Sequence, residues 1–242
     1  MDTNKKTILA FPRSGSKLLA GIFEKRGYHN FGEFFNTFSH GINNANIPYA
    51  SRMPVAQQHQ VLKTRKTRGP NLDNYTQTLI IQHRYKKFLE YADITPSIIT
   101  TSNSTFDFFP EAVSVLSDRQ VLCLRRINRF DQLLSRCITM TYLNHDDETK
   151  SRPLKIDKTY FEFCFYTLAR LEKMQDRCVK AGNGIYIDFD ELVTGRADLG
   201  FDYQVTTYDQ HRDLRSLVLN LAETMKLYDS LVNSYNLDRN VV

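Results

Sequence analysis

The sequence predicts an α/β fold, a three-layer α/β/α arrangement around a mainly parallel central sheet, and three observations predict it. Short apolar runs suited to buried strands recur at residues 7–11, 97–101, 121–124 and 184–189. Longer segments with apolar residues at helical spacing separate them. A glycine-containing turn follows the first run directly and opens the first of those helices. At 242 residues and 28.2 kDa, with no internal repeat and no linker, the chain is expected to be a single domain over 1–242. Its 41% hydrophobic and 24% charged residues exclude disordered, collagen-like and coiled-coil classes.

In chain order, Thr7-Ile8-Leu9-Ala10-Phe11 is a buried parallel strand closed by Pro12. A helix over 17–26 carries Leu18, Leu19, Ile22 and Phe23, and Gly27 stands where a helix C-terminus favours glycine. Residues 41–74, rich in Asn, Gln, Pro and basic side chains, read as loops and short helices. A helix is expected over 78–91, with Leu79, Ile80, Tyr85, Phe88 and Leu89 apolar. After the strands at 97–101 and 121–124 comes a helix from about Asn128 bearing Phe130, Leu133, Leu134, Cys137 and Ile138. Another helix spans 159–180, with Phe161, Phe165, Leu168, Leu171, Met174 and Cys178 near a helical period. The strand at 184–189 and a last helix over 214–235 complete the pattern.

No apolar run approaches the ~18 residues of a membrane span. Met1 to Lys6 is polar and leads straight into the first strand, which is not the pattern of a signal peptide. Cys123, Cys137, Cys164 and Cys178 show no CxxC pairing and sit among apolar residues, so they read as reduced core residues of a cytoplasmic protein without a metal site. The net charge of +5 suits a pocket for one polyanionic small molecule better than a nucleic-acid surface. The densest basic cluster, Lys63 to Arg68, reads first as a solvated loop or helix end and second as a lid or patch for an anion.

Chemistry concentrates in Phe11-Pro12-Arg13-Ser14-Gly15-Ser16-Lys17-Leu18-Leu19. A glycine turn that opens a helix presents successive N–H groups and the positive end of the helix dipole, an arrangement that binds phosphate. Ser14 and Ser16 add hydroxyl donors, and Arg13 adds a planar, permanently charged fork. The nucleotide triphosphate motif G-x-x-x-x-G-K-[ST] is absent: Ala10 stands five before Gly15, Ser16 follows it, and Leu18 occupies the place of the Mg²⁺-binding hydroxyl.

These residues resemble a known family. Pro12-Arg13-Ser14-Gly15-Ser16, followed by Leu18-Leu19, is similar to the 5′-phosphosulfate loop of sulfotransferases using 3′-phosphoadenosine 5′-phosphosulfate (PAPS). Many members have Pro-Lys-Ser-Gly-Thr there, and the Arg-Ser-Gly-Ser form resembles the bacterial trehalose sulfotransferase branch. The family holds the 3′-phosphate with an arginine at the end of a later strand and a serine on the next helix. Arg126 and Ser135 have the nine-residue step of that branch, with Gln132 three residues before the serine. The family's Arg-Asn-Pro or Arg-Asp-Pro triplet is missing, so Arg125 and Arg126 exchange roles if the strand ends one residue earlier.

Phe31-Gly32-Glu33-Phe34-Phe35 resembles the Glu-Tyr-Phe context of the branch's catalytic base, with Phe34 in place of tyrosine. Desolvation by the aromatic neighbours would raise the carboxyl's pKa toward that of a base working near neutrality. His40 and His145 are rival bases, because other members use histidine. Residues 186–192 resemble the late Tyr-Glu-Asp-Leu turn and read as scaffold, and Arg212 and Arg215 lie where relatives close a basic loop over the 3′-phosphate. Residues 41–109 match nothing in the family and are expected to shape the acceptor pocket.

The resemblance implies a P-loop-like sulfotransferase fold and transfer of a sulfuryl group from PAPS to a hydroxyl of a small-molecule or carbohydrate acceptor, leaving adenosine 3′,5′-bisphosphate (PAP). It implies Arg13, Ser14, Gly15, Ser16, Lys17 and Leu18 at the cofactor's 5′ end, Arg126 and Ser135 at its 3′ end, and Glu33 with Arg13 in catalysis. No metal is expected, since basic side chains supply the positive charge. Two alternatives fit the same loop. One is a P-loop-type phosphotransferase dependent on Mg²⁺. The other is a non-catalytic nucleotide- or nucleic-acid-binding protein, in which Lys63 to Arg68 would hold the nucleic acid.

Overall fold

The computed structural model describes residues 2–32, 86, 88–90, 93–101, 117–142, 153–205 and 214–239. The fold is α/β: five parallel strands form one sheet, and helices connect them. In order come β1 (Asp2–Ala10), α1 (Ser16–Glu24), β2 (His29–Asn30), β3 (Ser97–Thr101), β4 (Arg119–Arg125), α2 (Arg129–Tyr142), α3 (Lys158–Lys180), β5 (Gly184–Asp188), α4 (Phe189–Val193) and α5 (Leu221–Arg239). Two compact units interleave along the chain: Met1–Ala10, Ser16–Cys123 and Arg177–Ile185 make the first, and Phe11–Gly15, Leu124–Asp176 and Tyr186–Val242 make the second.

The first unit is organised by the sheet. Strand order is β2-β3-β1-β4-β5, with β1 in register against β3 from Lys5↔Ser97 to Leu9↔Thr101. Ile8, Leu9, Ile98, Ile99, Val121 and Leu122 are at most 1% exposed. Burying such a side chain contributes about 1.5–3 kcal/mol, which is why β-branched and leucine runs sit at the sheet's centre. β1 reaches back to Asp2, five residues beyond the apolar run that predicts it. Its lysines are accommodated individually: Lys5 pairs with Asp118 at 3.7 Å, and the buried Lys6 donates from Nζ to the Gln120 side chain. Buried Arg119 links three strands, donating from Nε to the Lys6 carbonyl at 3.2 Å and from Nη2 to Ser97 Oγ at 2.9 Å.

Strand order has a functional consequence. The connection leaving β1 runs to β2 on one side of it, whereas that leaving β4 runs to β5 on the other. The direction of the connections therefore reverses between β1 and β4, which makes this a topological switch point of the sheet.

In the second unit α2, α3 and α5 carry the core. Phe130, Leu133, Leu134, Phe161, Phe165 and Leu168 are buried, and Phe130 and Phe165 both meet Tyr228 edge-on at 5.3 and 6.1 Å. Asn128 caps α2, its Oδ1 accepting from Asp131 N at 3.0 Å. The last helix begins at Leu221 rather than at 214, a correction with a clear cause. Val218 forms a parallel bridge with Leu154, and Leu154 donates to Leu217 O at 2.8 Å, so a separate 3-10 turn at Arg215–Leu217 ends at Val218 instead of running on into the helix. All four cysteines are free and buried. A hydrogen bond couples Cys137 and Cys164: together with burial it raises the Cys137 thiol, and it lowers that of Cys164 against the opposing effect of burial. Among the described residues, no helix is long and apolar enough to cross a membrane.

Candidate functional site

The site starts where β1 stops. Phe11 is buried, and residues 12–15 turn the chain into α1. Two residues have left-handed backbones, Arg13 at φ 70° and Gly15 at φ 88°. Glycine tolerates this conformation without strain, whereas arginine does so at a cost of order 1 kcal/mol. Gly15 is required for a second reason. A Cβ there would lie 2.4 and 2.6 Å from two ring carbons of Phe189, far inside van der Waals contact.

Ser14 departs from the sequence expectation. It is fully buried, its Oγ donates to Phe11 O at 2.6 Å, and its N–H donates to the same carbonyl at 3.2 Å. Both donors hold the turn together and neither faces a ligand. The donors the turn offers are thus those of the first turn of α1, at Ser16, Lys17 and Leu18, which helix geometry leaves unpaired. No acidic residue stands in that first turn to neutralise the dipole. Ser16 is buried, Lys17 is exposed and Leu18 is half-buried.

The segment after β4 separates two neighbouring arginines. Arg125 is saturated: Nε donates to Gln175 Oε1 at 2.8 Å, and Nη2 donates to Asp176 Oδ1 at 2.6 Å and to Glu172 O at 3.1 Å. Its guanidinium also stacks on Tyr186 at 4.1 Å, and the Tyr186 hydroxyl donates to the same Asp176 oxygen at 2.6 Å. Arg126 is half-buried and has one long hydrogen bond, from Nη1 to Arg13 O at 3.4 Å. Its guanidinium carbon lies 4.6 Å from the centre of the Phe189 ring, and its buried Nε has no acceptor. Among the described residues no carboxylate pairs with Arg13, Lys17 or Arg126.

The second unit thus brings Arg13, Gly15, Arg126 and Phe189 together. Ser135 lies on α2, nine residues after Arg126, with 8% of its surface exposed. Arg215 is committed elsewhere, pairing with Asp131 at 3.0 Å and lying 5.6 Å over Phe130. Glu33, His40, His145, Arg212 and the Lys63 to Arg68 cluster fall outside the described residues. The chain leading to Glu33 is fixed to β3: Phe31 donates to Ile98 O and Thr100 donates to Gly32 O, both at 2.9 Å. Among the described residues no three His, Cys, Asp or Glu side chains gather as metal ligands would.

No protein-family model matches the chain, and no curated protein matches it in sequence. Fold and site therefore rest on the molecule's own geometry.

Phe189 is the site residue that the sequence conceals. It reads there as the end of an apolar strand, but β5 stops at Asp188, whose side chain accepts from Asp190 N at 2.7 Å and Glu191 N at 3.1 Å. This N-cap starts α4 at Phe189, which is 1% exposed with its ring against Gly15 and Arg126. An Asp-x-Asp-Glu capping pattern was the available signal for the helix start. Nothing local signalled the ring's partners, which are more than sixty residues away.

Proposed function

We propose that this chain is a cytoplasmic PAPS-dependent sulfotransferase on a three-layer α/β/α, P-loop-like fold, with a hydroxyl of a small-molecule or carbohydrate as acceptor. The observation that carries the reading is the Arg126 guanidinium, which stands beside the glycine turn without a carboxylate partner among the described residues. A half-buried cation without a counter-ion loses hydration that a ring face and one long hydrogen bond replace only in part, so the position favours an anion. A bisphosphorylated nucleotide fits the residues present. Lys17, Arg13 and the bare N-terminus of α1 suit its 5′ end, and Arg126 with Ser135 suits its 3′-phosphate.

Bound PAPS supplies a sulfuryl group already attached to a good leaving phosphate. Arg13, Lys17 and the N–H groups of Ser16 to Leu18 then hold the 5′ end and stabilise negative charge growing there. Preorganised donors of this kind are worth about 3–4 kcal/mol each in barrier height. Arg126 distinguishes the 3′-phosphate from the bare 3′-hydroxyl of an ordinary nucleotide, and Glu33 takes the proton of the acceptor hydroxyl.

Calorimetric titration with PAP in the absence of Mg²⁺, with 5′-AMP as control, tests the reading. The wild type is expected to bind PAP at least about tenfold more tightly than AMP, and Arg126→Ala to lose that preference. No binding of PAP sinks the proposal. Binding that requires Mg²⁺ points to a phosphotransferase, and indifference to PAP with steeply salt-dependent binding of RNA or DNA points to a non-enzyme.

A further inference from the structure

One aromatic ring connects the two halves of the candidate cofactor site. Phe189 lies so close to Gly15 that no side chain fits between them, and the same ring underlies the Arg126 guanidinium at 4.6 Å. The buried Nε of Arg126 has no oxygen acceptor among the described residues, so the negative face of the Phe189 ring is what attracts this part of the cation. Nη1 reaches Arg13 O only at 3.4 Å, and among the described residues Nη2 has no acceptor. The planar fork is therefore oriented by stacking, with its terminal nitrogens left for a ligand.

We propose that Phe189 is a positioning and specificity-determining residue: its ring fixes the plane of the Arg126 guanidinium, so that the terminal nitrogens discriminate a 3′-phosphorylated nucleotide from one with a free 3′-hydroxyl. The proposal rests on the cofactor reading above and adds to it a residue outside the glycine loop and outside the arginine–serine pair. A ring on one face opposes the tilting of a flat cation that a long, weak hydrogen bond allows, and the gain appears only with a ligand whose phosphate meets the fork in that plane.

The experiment titrates PAP and 5′-AMP into the wild type, Phe189→Leu, Phe189→Tyr, Arg126→Ala and the Phe189→Leu/Arg126→Ala double variant, with thermal melts of each. The quantity read is the ratio of AMP to PAP dissociation constants. Phe189→Leu is expected to lower that ratio about fivefold, the size of a partly desolvated cation–π contact, while Phe189→Tyr keeps it. Leucine at 189 should lower it no further once Arg126 is gone, because the ring acts on the 3′-phosphate preference only through that residue, while its contact with Gly15 affects both nucleotides alike. A ratio kept in Phe189→Leu but lost in Arg126→Ala overturns the role of Phe189 and leaves the cofactor reading intact. Absence of any preference for PAP in the wild type overturns both. A measurement without a variant guards against misfolding of Phe189→Leu: the Arg126 Nε–H proton resonance of the wild type should be shifted upfield by the ring current. An unshifted resonance overturns the stacking itself.

Discussion

Arg125 and Arg126 are adjacent, both lie against an aromatic ring contributed by the β5 region, and they have opposite chemical fates. Around Arg125, Nε and Nη2 together meet three oxygens, and the carboxylate of Asp176 balances its charge while also accepting from Tyr186. Around Arg126 the ring is present, but among the described residues the carboxylate is not. The difference arises from which helix lies opposite. Arg125 faces α3, where Glu172, Gln175 and Asp176 fall on one face at helical spacing, whereas Arg126 faces the backbone of the glycine turn, which offers a single carbonyl. A saturated arginine contributes to stability, and an unsaturated one is available to a ligand.

Gly15→Ala probes the floor beneath the open arginine and should have the largest effect. A Cβ at a left-handed position adds about 1 kcal/mol of strain, and overpacking against Phe189 adds about 1–3 kcal/mol. A loss of about 2–4 kcal/mol in denaturant unfolding is expected, and wild-type stability would mean that the ring does not back the turn.

Next comes exchange of the two arginines' roles. Arg125→Met should cost about 1–3 kcal/mol of stability and leave the preference for PAP over AMP unchanged. Arg126→Met should change stability by no more than about 0.5 kcal/mol but reduce that preference about 10–100-fold. Equal effects of the two variants on either measurement would erase the distinction.

Asp188→Ala removes the cap that starts α4 and should lower stability by about 1 kcal/mol. It should also weaken PAP more than AMP, because it loosens the backbone that delivers Phe189. Tyr186→Phe is the smallest probe. It keeps the ring under Arg125 and deletes one hydroxyl bond to Asp176 on an exposed side chain, so a loss below about 1 kcal/mol with no change in nucleotide preference is expected.

Much of this molecule was legible in one dimension. The apolar runs at 7–11, 97–101 and 121–124 lie within or next to β1, β3 and β4, and the helical periods from Asn128 and over 159–180 anticipate α2 and α3 within a residue or two. These elements are read easily because hydrophobic periodicity records local geometry and burial together. The extension of β1 to Asp2 was not legible, because lysines on a buried strand are tolerated only through partners such as Asp118, just before β4, and Gln120 on it. The late start of α5 was not legible either, since a bridge to Leu154 extends the chain at Val218 and splits the expected helix into a 3-10 turn at Arg215–Leu217 and a helix from Leu221.

For the candidate site, sequence determined the ingredients: a glycine turn after a strand, a helix N-terminus free of acidic residues, and a pair of arginines after another strand. Tertiary structure decided how they are used. It turned both donors of Ser14 onto Phe11, closed Arg125 with α3, left Arg126 open, and set Phe189 under Gly15 and Arg126 together. Local propensity and motif spacing act over a few residues, so they fix which groups exist and on which element. Whether a charge is paired depends on contacts 47 to 113 residues apart in sequence, and only the folded chain makes those.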